Sequence, residues 1–427
     1  MKINARTLPY EEVLKAPRLQ HKDPRKPSRL LATVVRIASM PTFWKTKFSY
    51  TTERMELVGK NEPCLILMNH SSFTDMKLAY GIFYPRRFGI VTSVDAMSGI
   101  LGKLMRFLGC TPTHKYIADL TLIRDIEYML RTNKTSVLMY PEAGYSFDGR
   151  ATTLPRKLGV LMKRLGVPVV TVITEGAFAR DPLYNMLQIR DVKVSAHVKC
   201  LATAQEVKEK TVAELDALLE EAFSFDNFAW QRDNKISIDV PFRADGLHRI
   251  LYKCPHCGTE NRMEGKGIHL TCHECGKKWE MDEFGQLAAR EGETEFSHIP
   301  DWYTWQRECV RKELEEGTYL LDTDVDIAVQ VNLDGVFMIG KGHLTHDLSG
   351  FHLTGGDGKL DYTQSPVASH TLYSDYYWYE IGDVIGIGNN EFSYFCFPEA
   401  NVSVTKARLA TEELYKIKKT RKGKSRE

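Results

Sequence analysis

Between residues 50 and 230, apolar segments typical of strands alternate with segments typical of helices. The strand-like segments are rich in Val, Ile and Leu: CLILMNH (64–70), RRFGIVTS (86–93), TSVLMYPE (135–142), VPVVTVIT (167–174) and VKVSAHVKCLA (192–202). Helix-like segments fall between and after them: LGKLMRFLG (101–109), DLTLIRDIEYMLRTN (119–133), LPRKLGVLMKRLG (154–166) and QEVKEKTVAELDALLEEAFSF (205–225). This alternation predicts a layered α/β domain with a mixed sheet, whose ligands gather at the carboxyl ends of strands.

The rest of the chain divides by composition. Residues 1–49 form a leader, 50–230 the α/β domain, 231–290 a segment dominated by Gly, Cys and charged residues, and 291–427 a β-rich domain with a basic tail. Short alternating strands predict that this last domain is antiparallel, with one closing helix at ATEELYKIKK (410–419). Its aromatic stretch TLYSDYYWYEIGD (371–383) is more often core or interface than a lipid pocket.

Charge and cysteine usage restrict the class of protein. The formal net charge of +2 gives no reason to expect a nucleic-acid partner, although the tail is basic. The chain shows neither a signal peptide nor an apolar run of about 20 residues that would span a bilayer. Nine cysteines without a secreted disulfide pattern fit a reducing compartment. We therefore expect a cytoplasmic protein, held peripherally at the inner face of the cell membrane.

The leader contains a candidate amphipathic helix. Ser28 is a plausible N-cap, and the helix should end near Met40, before Pro41. Leu30, Leu31, Val34, Val35 and Ala38 share one face. Eleven Lys/Arg against three Asp/Glu lie between residues 15 and 60. Such a helix favours an anionic membrane surface, and the alternative is that it packs on its own domain.

A candidate acid–base pair follows the first apolar strand of the α/β domain. His70 ends this strand, and Asp75 follows five residues later. Ser71 and Ser72 can cap the next helix, which would bring the Asp75 carboxylate close to one imidazole nitrogen. A carboxylate there fixes the tautomer, so the other nitrogen can deprotonate a hydroxyl. The pattern lacks a nucleophile elbow, which favours direct attack by a substrate hydroxyl. The simpler alternative is a polar residue at a strand end.

A second polar turn comes after another strand, at Pro141–Glu142. In order, NHSSFTD (69–75), GCTPTHK (109–115), YPEAG (140–144) and VPVV (167–170) resemble the four motifs of the glycerolipid acyltransferases, the lysophosphatidate acyltransferase family, over about residues 45–215. The resemblance implies that His70 is the base, that Asp75 orients it, and that Asn69, Glu142 and Gly144 belong to the substrate site. It also implies fatty acyl transfer from acyl-CoA or acyl carrier protein to a glycerolipid hydroxyl, most plainly that of 1-acylglycerol-3-phosphate, in phospholipid biosynthesis, without a catalytic cofactor.

The motifs depart from the family at three positions, and the resemblance implies that the arginines at two of them grip the acceptor phosphate. Lys115 stands where the second motif has arginine, Tyr145 where the third has arginine, and Ala143 where the third has glycine. Arginine binds phosphate through a bidentate fork that lysine and tyrosine lack. Lys115 and the downstream Arg150, Arg156 and Lys157 are the basic candidates for the acceptor, and a different lysolipid or alcohol acceptor remains the main alternative.

Two C-x2-C knuckles predict a zinc ribbon. Cys254, Cys257, Cys272 and Cys275 lie in CPHCG and CHECG, fourteen residues apart, and four thiolates suit structural Zn²⁺. A redox or iron–sulfur role is the alternative. His256 and His273 should lie outside the ligand set. Basic and acidic residues are mixed here, which is a poor phosphate footprint. We therefore expect a structural clip between domains rather than a nucleic-acid binder or an inactive scaffold.

Overall fold

The computed structural model describes residues 3–115, 119–152, 154–155, 158–399 and 401–424, with side chains given as far as residue 419. Its first elements belong to the leader: β1 (Ala5–Thr7), α1 (Tyr10–Lys15), α2 (Arg29–Ala38) and α3 (Met40–Lys45). As predicted, Ser28 caps α2, where its Oγ accepts a hydrogen bond from the Leu31 amide at 3.4 Å. Leu31 and Val35 pack on the domain behind α2, whereas Leu30, Val34 and Ile37 face solvent. The helix therefore packs on its own domain and still exposes an apolar face.

The α/β domain is built on a mixed sheet in the order β2-β8-β7-β3-β6-β4-β5. Its strands are β2 (Ser49–Glu53), β3 (Leu65–Met68), β4 (Phe88–Ser93), β5 (Cys110–Thr113), β6 (Ser136–Met139), β7 (Val169–Glu175) and β8 (Ser195–Ala202). β8 runs antiparallel to β7, while β3 lies parallel to both β6 and β7. The predicted layered domain with a mixed sheet is confirmed, and the polar turns after β3 and β6 lie at the same sheet edge.

Helices cover this sheet on both faces, and cores of apolar side chains fill each side. They are α4 (Asp75–Phe83), α5 (Gly99–Phe107), α6 (Leu120–Arg131), α7 (Leu158–Leu165), α8 (Ala177–Arg180), α9 (Ala204–Glu209), α10 (Val212–Ala222) and α11 (Asn227–Asp233). α9 and α10 are separate because Thr203 and Thr211 each start a helix with a capping box. Within the described residues, no helix combines the length and apolar character that crossing a bilayer requires.

The cysteine-rich segment forms a small antiparallel sheet in the order β12-β11-β10-β9. Its strands are β9 (Met263–Lys266), β10 (His269–Cys272), β11 (Lys278–Met281) and β12 (Leu287–Ala289). Gly258 and Gly276 end the two knuckles at φ of 77° and 76°, where their amides turn back to the carbonyls of Cys254 and Cys272. Only glycine adopts this left-handed conformation without a steric cost, which accounts for the glycine that follows each C-x2-C pair.

The C-terminal domain is an antiparallel sheet in the order β16-β15-β14-β13-β19-β18-β17, to which β1 adds in parallel beside β14. It comprises α12 (Ile299–Glu316), β13 (Leu321–Gln330), β14 (Val336–Asp347), β15 (Gly350–Gly355), β16 (Leu360–Gln364), β17 (Tyr373–Trp378), β18 (Gly382–Gly388), β19 (Ser393–Pro398) and α13 (Val404–Lys424). The antiparallel prediction is confirmed, but α12 accompanies the predicted closing helix α13. The sequence pattern did not predict α12, because charged residues of its exposed face interrupt its buried apolar stripe. This stripe consists of Ile299, Trp302, Val310 and Leu314.

One continuous core joins all these parts. It contains Phe147 and Phe178 from the α/β domain, Trp279 from the cysteine-rich sheet, Trp302 from α12 and apolar residues of the C-terminal sheet. Trp279 and Trp302 meet edge to face at 5.0 Å, and the Trp302 indole donates to the Lys253 carbonyl at 3.0 Å. The cysteine-rich sheet therefore clips the domains together, as the sequence suggested.

We expect the substitution Trp302→Ala to lower the free energy of unfolding by about 3–5 kcal/mol, since it empties a buried site where three units meet. Chemical denaturation followed by circular dichroism measures this loss. Trp44→Ala is the matched control because Trp44 is 72% exposed, and it should change stability by less than about 0.5 kcal/mol. Equal losses in the two variants would contradict the shared core.

Candidate active site

His70 and Asp75 form a hydrogen-bonded pair at the carboxyl end of β3. Nδ1 of His70 lies 2.9 Å from Oδ2 of Asp75. The same oxygen accepts hydrogen bonds from the amides of Ser71 at 2.9 Å and Ser72 at 3.1 Å. Asp75 is the first residue of α4, so the helix N-terminus adds favourable charge. The arrangement holds the imidazole in one orientation and leaves Nε2 as the nitrogen that can take a proton.

The prediction that Ser71 or Ser72 caps the next helix is wrong. Thr74, not Ser71 or Ser72, is the N-cap of α4, and its side chain makes no cap hydrogen bond. The amides of Ser71 and Ser72 bond Asp75 in the turn after β3, and the helix starts only after that turn. The Ser72 hydroxyl instead donates to Asp181 at 2.6 Å, a buried carboxylate that no sequence motif had indicated.

Two tyrosines enclose the imidazole. Tyr140 and Tyr145 stack on the His70 ring with centroid distances of 4.1 Å and 3.8 Å, and the His70 side chain is only 15% exposed. Burial lowers the pKa of His70 well below 6.5, with the Lys115 charge acting in the same direction. Burial also raises the pKa of Asp75 to about 8, against the two amide hydrogen bonds. Burial therefore keeps the imidazole neutral, as a general base requires, while the two amide hydrogen bonds favour the ionised Asp75 carboxylate that orients it.

Glu142 connects the turn after β6 to the turn after β3. Oε1 accepts a hydrogen bond from the His70 amide at 3.0 Å, and Oε2 accepts one from the Thr152 amide at 3.1 Å. Burial raises the pKa of Glu142 to about 8, while these bonds and Arg408 act to lower it. The carboxylate thus fixes the His70 backbone, and its predicted contact with substrate stays a prediction.

Asn69 and Gly144 also lie in these turns. The Asn69 amide group bonds Thr174 at the end of β7 and the Ser71 hydroxyl, which ties β3 to its other neighbour. Gly144 follows Ala143, which adopts a left-handed conformation with φ of 55° where the family has glycine. Their predicted roles in substrate binding are untested by these contacts.

The two basic acceptor candidates that the structure describes, Arg150 and Lys115, both have protein partners. Arg150 pairs with Asp148 at 2.9 Å and donates to Pro300 and Thr304 of α12, so it joins domains. Arg156 and Lys157 lie outside the described residues. Lys115 is half-buried, with its ammonium 5.1 Å from the centre of the Tyr373 ring. Burial lowers the pKa of Lys115, whereas nearby Asp95 and Asp375 act to raise it.

The C-terminal domain contributes residues that the motifs could not reveal. The hydroxyls of Tyr373 and Tyr379 donate to Asp95 at 3.0 Å and 3.2 Å. Arg408 of α13 is buried over the Phe147 ring and donates to the Tyr145 carbonyl at 3.2 Å. The aromatic stretch is thus core at Tyr376 and Trp378 and an interface with the α/β domain at Tyr373 and Tyr379.

Comparison with known proteins assigns this domain. Residues 49–175, from β2 to the end of β7, match the family model described as Acyltransferase. This region is an acyltransferase domain. The predicted acyltransferase domain is thereby confirmed for the part of the chain that holds His70, Asp75 and Glu142.

One solved structure is similar to part of the chain at low sequence identity. The 1-acyl-sn-glycerophosphate (LPA) acyltransferase PlsC from Thermotoga maritima is 17% identical in its crystal structure, with a TM-score of 0.37, over 45% of this chain and 76% of that chain. No curated protein matches the chain significantly.

The four predicted cysteine ligands converge in the cysteine-rich sheet. One sulfur from each of Cys254, Cys257, Cys272 and Cys275 lies within 4.8 Å of the others. His256 and His273 lie outside the cluster and contact Glu295 and Glu264 instead, as expected. The other cysteines are buried or half-buried thiols.

Asp75→Asn should reduce kcat for acyl transfer by about 10²–10⁴-fold, because an amide cannot stabilise the imidazolium that forms when His70 takes a proton. Initial rates of donor thiol release measure this, with thermal unfolding to show that the variant is folded. Asp119→Asn, at the N-cap of α6, is the control and should retain the wild-type kcat. A folded Asp75→Asn enzyme with wild-type kcat would exclude this role.

Proposed function

We propose that the acyltransferase domain moves a fatty acyl group from acyl-CoA or acyl carrier protein to a glycerolipid hydroxyl, in phospholipid biosynthesis. The carrying observation is the buried His70–Asp75 pair beside the Glu142 turn. Nε2 of His70 takes the hydroxyl proton while the hydroxyl oxygen attacks the thioester carbonyl carbon. The new C–O ester bond replaces the C–S bond, and the departing thiolate receives the proton from His70. Asp75 steadies the intermediate imidazolium, and backbone amides at the turns stabilise the oxyanion.

The first acceptor to consider is 1-acylglycerol-3-phosphate, as the motif order suggests. Lys115, Arg150 and Lys157 are the basic residues proposed to bind its phosphate, with Asn69 and Gly144 lining the acceptor site.

A second acceptor class, without a phosphate monoester, is favoured by the surroundings of Lys115. The carboxylates of Asp95 and Asp375 stabilise the Lys115 ammonium and offset its positive charge, and Tyr145 covers His70 where the family has arginine. A dianionic headgroup would meet two carboxylates there.

Incubation of the purified protein with each donor and a panel of acceptors tests the proposal. Lysophosphatidic acid, lysophosphatidylglycerol, lysophosphatidylcholine and monoacylglycerol form the panel, and mass spectrometry identifies the acylated product. We expect one acceptor to be strongly preferred, and His70→Ala to lower its turnover by at least about 10²-fold.

His197→Ala is the matched control, because His197 also contacts a carboxylate, Glu53, but at the sheet edge. It should retain full turnover. Preference for lysophosphatidic acid supports the first acceptor, and preference for an acceptor without a phosphate monoester supports the second. The glycerolipid proposal would be refuted if no acylated product formed with any of the four acceptors. Full turnover by a folded His70→Ala variant would also refute it.

For the cysteine cluster we propose one structural zinc ion. The Sγ atoms of Cys254 and Cys275 lie 3.8 Å apart, and so do those of Cys257 and Cys272. Tetrahedral Zn²⁺ with Zn–S bonds of about 2.3 Å requires S–S edges of about 3.8 Å, so the donor set fits. The ion would hold the knuckles that pack beside Trp302, away from the reacting groups.

Cys257→Ser should reduce the metal content from about one zinc per chain and destabilise the protein by about 3 kcal/mol or more, because metal binding is coupled to folding of the knuckles. Plasma mass spectrometry and denaturation measure these two effects. Cys309→Ser, a half-buried thiol outside the cluster, should retain the zinc. Iron in place of zinc, or no bound metal in the wild-type protein, would contradict the proposal.

We also propose that the enzyme lies on an anionic membrane surface at the inner face of the cell membrane. The support is the exposed apolar face of α2, with Trp44 beyond its end and basic residues around it. A helix of this kind lies flat at the level of lipid headgroups.

A further inference from the structure

A second helix with an exposed apolar face lies in the acyltransferase domain itself. α5 places Ile100, Leu101, Leu104 and Phe107 at the surface, and Ile100 is 87% exposed. Its other side is anchored, since Met105 packs on the same core as Leu31 and Val35 of α2. Exposed apolar side chains clustered on one short helix are unusual for a soluble surface and mark a binding face.

α5 and α2 meet end to end. The Ser28 amide, at the start of α2, donates to the Phe107 carbonyl, at the end of α5, at 2.9 Å. The Arg25 guanidinium lies 4.5 Å from the centre of the Phe107 ring. Leu30, which is 75% exposed, comes in the first turn of α2, and Leu104 and Phe107 come in the last turns of α5. The two apolar faces are therefore neighbours across this junction.

The charges around the junction are nearly all positive. Lys22, Arg25, Lys26 and Arg29 approach it along the leader, and Lys103 lies on α5. Asp23 is the acidic residue among them. Apolar side chains bordered by exposed Lys and Arg are complementary to the acyl layer and headgroups of an anionic bilayer. A second copy of this chain, with the same basic border, would meet like charge.

We infer that α5 and α2 together form one lipid-contacting surface, and that α5 brings the membrane to the edge of the active site. α5 follows Asp95, which binds Tyr373 and Tyr379 beside Lys115. α4, which begins at Asp75, packs against α2. A lipid acceptor leaving the bilayer at this surface is therefore close both to Asp75 and to Lys115. This inference rests on the proposed transfer to a lipid acceptor.

Vesicle co-sedimentation tests the surface. The vesicles contain phosphatidylglycerol and phosphatidylcholine, with pure phosphatidylcholine as the uncharged comparison. We expect Ile100→Ser combined with Leu104→Ser to reduce partitioning onto anionic vesicles by at least about tenfold, and Leu30→Ser combined with Ile37→Ser to do the same. The matched control combines Ile189→Ser and Leu320→Ser, exposed apolar residues elsewhere, and should stay within about twofold of wild type.

Acyl transfer to an acceptor dispersed in detergent separates this inference from the proposed function. The α5 variant should retain its activity in detergent and lose it on vesicles, whereas failure in both would point to the reaction itself. Wild-type partitioning of the α5 variant, with loss only in the α2 variant, would overturn the inference. So would a wild-type dimer, seen by sedimentation velocity, that the α5 variant converts to a monomer.

Discussion

The Glu142 carboxylate is the interaction on which the site depends. It is buried at the sheet edge and accepts two hydrogen bonds. One comes from the amide of His70, in the turn after β3, and the other from the amide of Thr152. The Ser146 amide completes the junction by donating to the His70 carbonyl at 3.0 Å. Because β3 and β6 are adjacent and parallel, these bonds fix the backbone of His70 from behind. The Asp75 hydrogen bond therefore orients an imidazole whose backbone is already held in place.

The C-terminal domain supplies an arginine that supports the Tyr145 loop of the acyltransferase domain. Where the family has a third-motif arginine, Tyr145 stacks on His70, and Arg408 of α13 binds the Tyr145 carbonyl from the other side. Arg408 in turn contacts Glu412 at 3.4 Å, within a buried network that includes Arg307. The guanidinium therefore supports the loop and is committed to protein partners. A positive charge is retained near the motif, but it holds a backbone rather than a phosphate.

The sequence predicted those parts of the site that depend on local pattern. The strand ends at His70 and Glu142, the capped start of α2 and the glycine-terminated knuckles each follow from residues within one turn of the feature. The sequence could not predict contacts made between distant segments. Tyr379 and Arg408 lie hundreds of residues beyond Asp95, and none of the three carries a motif, so only the fold brings them to the site. Arg150 shows the same limit, since its partner Thr304 lies on a helix that the sequence did not reveal.

These long-range contacts bear on why the motifs depart from their family. A lysine exposed to solvent can serve a phosphate, but Lys115 lies against Tyr373 and near Asp95 and Asp375. Burial raises the pKa of Asp375 to about 7, and the Lys115 charge acts to lower it, so the two groups are mutually dependent. Tyr373 and Asp375 belong to a β-strand that an α/β acyltransferase domain alone does not possess. The second-motif lysine and the C-terminal sheet therefore form one unit, and a substitution at position 115 must be interpreted together with β17.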